Sequence, residues 1–95
     1  MTPVEDISWN GEPLAYIIRA EMEPDKTTFL TPAELNFQLG FIVYPAGEEI
    51  ARHLHRPLER HIVGTSEVLV VKRGACQIDI YSDERELVAT RELRK

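Results

Sequence analysis

His53-Leu54-His55 is the triplet in this 95-residue chain best suited to chemistry. In an extended strand, residues i and i+2 point to the same face. Their Cα atoms then lie roughly 6.5–7 Å apart. Two imidazoles at that spacing can converge on one ion, with nitrogen–metal distances of about 2.0–2.2 Å. Ala51 shares that face, and its small side chain leaves room beside the rings. The third histidine, His61, follows Glu59-Arg60 and is a candidate substitute ligand or general base. The plainer reading makes it a solvated loop residue. Arg52, Arg56 and Arg60 lie among the histidines. Guanidinium groups hold carboxylates and phosphates with paired hydrogen bonds, so these arginines are candidates for fixing an anionic group of a substrate. The competing reading is a solvated, mixed-charge surface. There is no Ser-His-Asp order, no phosphate-cradling glycine loop and no Cys-x2-Cys pair.

Strands must position these side chains, because the punctuation of the chain is that of an all-β protein. Asn10-Gly11 is a two-residue turn signal between Ile7-Ser8-Trp9 and Leu14 to Ile18, which predicts an opening hairpin with Pro13 at an edge. Thr31-Pro32-Ala33-Glu34 has the pattern of a capping box with proline in the first helical position and predicts one short helical turn. Phe37, Leu39, Phe41 and Val43 alternate with Gln38, Gly40 and Ile42, which is strand spacing. Gln38 is read as facing outward, with a barrel lumen as the alternative. After a turn at 45–49, Ile50 to His55 reads as a short strand that stops before Pro57. Val68 to Val71 reads as a buried strand. Cys76, Ile78 and Ile80 mark a half-buried strand, Ser82 to Arg85 turns it, and Glu86 to Arg91 returns. Cys76 is thereby expected to be a buried, inert thiol. Tyr16, Phe37, Phe41 and Tyr44 are read as core. Short strands with a turn every eight to twelve residues indicate a sandwich or barrel.

The spacing around the histidines is Gly47-x5-His53-x-His55-x11-Glu67-x6-Gly74. This resembles the first conserved motif of the cupin superfamily, Gly-x5-His-x-His-x3–4-Glu-x6-Gly. The glycine-to-histidine and glutamate-to-glycine spacings agree, and the stretch between His55 and Glu67 is longer. Glu59 lies four residues after His55 and is the alternative motif glutamate, but Ser66 then stands where the glycine belongs. Glu67 is preferred because it also leads into an apolar run. The resemblance implies a jelly-roll β-barrel or sandwich, with residues 1–95 as one cupin-like domain. It also implies that His53, His55 and Glu67 are ligands of a divalent transition metal: iron, manganese, nickel or zinc. The resemblance covers roughly Phe37 to Arg94. The family's second motif, which carries a third histidine, is absent, so the barrel is expected to be incomplete at its C-terminal side. A partner copy that covers the open edges then makes a homodimer the expected assembly.

The function expected on this basis is a small metal-binding cupin that acts on, or binds, a small polar molecule, with carbohydrate-related molecules among the options. Two alternatives stay open. One is a metal-free cupin of the sugar-nucleotide isomerase or epimerase kind, with His53 or His55 as base. The other is a non-catalytic ligand-binding or dimerisation module with a vestigial site. Composition narrows the classes further. Net charge is −5 and the pI about 5.1, which argues against nucleic acid as a partner. The charge is uneven: residues 1–50 hold nine acids and two bases, and residues 51–95 seven acids and nine bases. The longest apolar run, Leu14 to Ile18, is far too short to cross a membrane. The 43% hydrophobic content supports a core, though a thin one at this length. One cysteine allows no intrachain disulfide. With no basic leader at the N-terminus, a cytoplasmic location is expected.

Overall fold

A computed structural model describes residues 3–95. Among them there is no helix. Six strands run in chain order: β1 (Val4–Trp9), β2 (Glu12–Ile18), β3 (Thr28–Phe29), β4 (Gly40–Phe41), β5 (Ala75–Tyr81) and β6 (Leu87–Arg94). They pair as three separate antiparallel two-stranded sheets, β1-β2, β3-β4 and β5-β6. The described residues are thus all-β, and their sheets do not close into a barrel. Among the described residues, no helix is long and apolar enough to cross a membrane. The chain forms two compact units, one of Met1–Glu23 with Leu69–Lys95 and the other of Pro24–Val68.

The first unit is built from two hairpins. At the first turn, Asn10 and Gly11 take φ of 50° and 79°. Two successive positive φ angles match the right-handed twist of the strands they join, which is why Asn-Gly succeeds there. The register runs Glu5 opposite Ile17 and Ile7 opposite Ala15, then shifts so that Ser8 faces Pro13. Leu14 is the extra residue of this bulge. The irregularity also accommodates a proline that has no N–H for the ladder. The second hairpin turns on Ser82 to Arg85, as its sequence predicts. Arg85 takes φ 65°, and its N–H donates to the Ser82 carbonyl at 2.9 Å. Ser82 is buried, and its Oγ accepts from the Glu84 and Glu86 N–H groups, both at 3.2 Å. The hydroxyl satisfies turn donors that the ladder leaves over.

Strand β1 packs against β6 and β2 against β5. The core between them is small. Ile7 and Ile17, on the same face of the first hairpin, are 6% and 8% exposed. Ile78 and Ile80 are half-buried. Glu5 shares the inward face with these isoleucines and carries the one charge of β1 that points there. Its carboxylate takes Arg19 Nη2 at 2.9 Å on one oxygen and Arg91 Nε at 2.9 Å on the other. Hydrogen bonds from Arg19 first, and from Arg91, hold the Glu5 carboxyl below its ordinary range. Arg19 also donates to the Glu92 carbonyl at 3.2 Å. On the opposite face, Tyr16 pairs with Asp6. Partial burial, and then the neighbouring Asp6 charge, raise the Tyr16 phenol above its ordinary pKa.

The second unit holds β3 and β4, only two residues each. Thr27 frames this short ladder by accepting the Val43 N–H on Oγ1 at 3.0 Å. Instead of a helical turn, the 31–36 segment makes a single tight turn closed by Leu35 N–H to the Pro32 carbonyl, 3.2 Å. The Gln38 amide folds back over this turn and donates to the Leu35 and Pro32 carbonyls at 2.6 and 3.1 Å. Gln38 is exposed, and its polarity serves the loop. Of the strand expected over 37–43, only Gly40–Phe41 is paired. Phe37 and Tyr44 are exposed, not core as their spacing suggests. The segments Ile50 to His55 and Val68 to Val71, expected as strands, form none and have no ladder partner, and Leu54 and Val70 are 92% and 82% exposed. Side-chain pattern selects a face, but a strand exists only where a neighbour takes its N–H and C=O groups. Cys76, near the open end of the last hairpin, is also exposed, not buried. The alternation it shares with Ile78 is correct, but the core does not reach that end of the strand.

Candidate functional site

The histidine pair lies on irregular backbone between β4 and β5. The two rings nevertheless come together: their centroids are 5.4 Å apart, edge to face at 71°. His53 Nδ1 lies 2.9 Å from the Ala51 carbonyl oxygen. That oxygen can only accept, so Nδ1 is the donor in this contact, and in the neutral ring Nε2 then carries the lone pair. A carbonyl that fixes the tautomer in this way is the usual support for a metal-ligating histidine. Both rings are exposed.

Glu67 is exposed as well, on the unpaired stretch before the 68–71 run. Among the described residues, no group of three or more His, Cys, Asp or Glu side chains is placed to hold a metal ion. The two imidazoles therefore stand as a pair, and the three-ligand set of His53, His55 and Glu67 is not assembled. The alternative, Glu59, does not complete it either.

The three candidate arginines separate. Arg52 and Arg56 are exposed and make no hydrogen bond or ion pair among the described residues. Arg60 is tied down: its Nη1 donates to the Glu34 carbonyl at 3.1 Å, across 26 residues of chain. Arg60 and His61 together line an open cleft of about 410 Å3 in the second unit, with Glu34 and Ser66 among the other walls. His61 thus has a setting that its loop position alone does not announce.

Two features escaped sequence reasoning. One is the Glu5–Arg19–Arg91 cluster, although a carboxylate in phase with Ile7 on an inward face does signal a need for cations. The other is the meeting of Glu34 with Arg60, which no spacing rule reaches. Comparisons with protein-family models, with curated proteins and with solved structures return no match.

Proposed function

We propose that this chain is a β module of the cupin jelly-roll kind that binds a small polar molecule and, through His53 and His55, a divalent transition metal ion. The observation that supports the metal reading is the pairing of the two rings at 5.4 Å, with the His53 tautomer fixed by the Ala51 carbonyl. The residues present fit half of the four-donor set that the resemblance implies. Two imidazoles suit iron, manganese, nickel and zinc, at modest affinity. Such an ion would act as a Lewis acid toward an oxygen of the bound molecule. The chain's own contribution is positional: Ala51 orients His53, and His55 completes the pair. Glu67 would have to move to join them.

Titration of the purified chain with Ni(II) or Zn(II), followed by histidine NMR shifts, tests this. Binding that moves His53 and His55 together, and that weakens at least about tenfold in both His53→Ala and His55→Ala, is expected. Binding that survives both substitutions, or no binding into the millimolar range, removes the metal from the reading.

A second reading, a non-catalytic module that pairs with its own copy in the cytoplasm, is favoured by a different observation. Leu54, Leu58, Val63 and Val70 are all exposed on chain outside the paired strands. Backbone and side chains of this kind are satisfied by strand addition. Sedimentation that shows a stable homodimer at micromolar concentration would support it, and a monomer would count against it.

A further inference from the structure

The cleft of the second unit joins the turn at 34–36 to the 60–66 segment, and its chemistry differs from that of the histidine pair. Arg60 spends one of its five N–H groups on the Glu34 carbonyl. That bond anchors one end of the guanidinium and leaves donors for a paired contact with a carboxylate. Glu34 also lines the cleft, yet no ion pair joins its carboxylate to Arg60 or to any other cation among the described residues. A cationic and an anionic residue thus border one open space without an ion pair between them. Leu35, Ile62, Val63 and Ser66 are also among the lining residues. The volume, about 410 Å3, falls at the small end of the roughly 300–1,000 Å3 range of ligand sites.

The geometry points to this cleft as a binding site for a small zwitterion with an aliphatic side chain, an α-amino acid of about leucine size. Its carboxylate meets Arg60, its ammonium meets Glu34, and its side chain covers Leu35, Ile62 and Val63. A simple anion would leave Glu34 repelling it, and a simple cation would be repelled by Arg60. Only a ligand that carries both charges satisfies both walls. The inference is independent of the metal reading, because neither His53 nor His55 lines the cleft.

The test is an amide NMR titration of the whole chain with three probes of one shape: leucine, leucinamide, which lacks the carboxylate, and 4-methylpentanoate, which lacks the ammonium. Leucine should give saturable shifts confined to 34–36 and 60–66. Both analogues should bind at least about tenfold more weakly. Arg60→Gln should abolish the advantage of leucine over leucinamide, and Glu34→Gln its advantage over 4-methylpentanoate. Arg73→Gln, outside the cleft, should change neither, and unchanged spectra elsewhere show that each variant is folded. The absence of saturable shifts with leucine up to about 10 mM overturns the proposal. So does equal affinity for the three probes, or leucine binding that Arg60→Gln leaves intact.

Discussion

The two units of this chain hold their polar groups in different ways. In the first, paired strands set the register, so Glu5, Ile7 and Ile17 share one face with no further device. The charge among them is then met by two guanidinium groups at 2.9 Å. In the second unit, ladders are two residues long, and individual side chains replace them: Thr27 on Val43, Gln38 on the 32–35 turn, Arg60 on Glu34. A ladder orders many side chains at once, whereas a tether orders only its own ends. Stability should therefore concentrate in the hairpins, and adaptability in the segment that carries the histidines and the cleft.

Substitution in the hairpin core should separate the units most sharply. Ile17→Ala should cost about 2–4 kcal/mol, a large share of the stability of so small a core. Hydrogen exchange should show the loss in β1, β2, β5 and β6 and leave protection at Leu30 and Leu39 little changed. Equal loss in both units would erase the contrast.

Acid should act next, and on the same unit. The folded Glu5 carboxyl titrates below its unfolded value, so its contribution is complete above the unfolded pKa, about 4.3. That contribution is lost as pH falls through the lower folded value. Glu5→Gln should lower the unfolding midpoint at neutral pH and flatten its decline in acid. A variant with the wild-type acid profile would show that the cluster is not the pH-sensitive element.

The smallest effect sharpens the comparison from the other side. Arg85 occupies a left-handed conformation that costs a residue with a side chain about 1–2 kcal/mol. Arg85→Gly should return about 1 kcal/mol to the hairpin unit, measurable as a raised denaturation midpoint. A neutral result would mean that the greater freedom of glycine in the unfolded chain cancels the relief.

What could be read from the residues follows the same division. Asn10-Gly11 and Ser82 to Arg85 announce their hairpins because turn chemistry is local. The all-β character follows from these and from alternation at 76–80. Ile50 to His55 and Val68 to Val71 have the composition of strands, but pairing depends on a distant neighbour that composition does not name. The histidine pair was legible because the two residues are only two apart in sequence, and the rings meet even on irregular backbone without a ladder. Bringing Glu67 to them required a sheet, and the 42–74 segment forms none among the described residues. Arg60 was legible as an anion-binding side chain. Its partner at Glu34 was not.

The bond between Glu5 and Arg91 spans 86 positions. A nascent chain leaving the ribosome has its first hairpin and Arg19 early, but the second guanidinium on Glu5, that of Arg91, arrives only with the last strand. Until then, the Ile7 and Ile17 face of the first hairpin lacks the β5-β6 hairpin that packs against it. Contacts of such long sequence separation make assembly slow and late. The interval before closure is when this protein has most need of a chaperone.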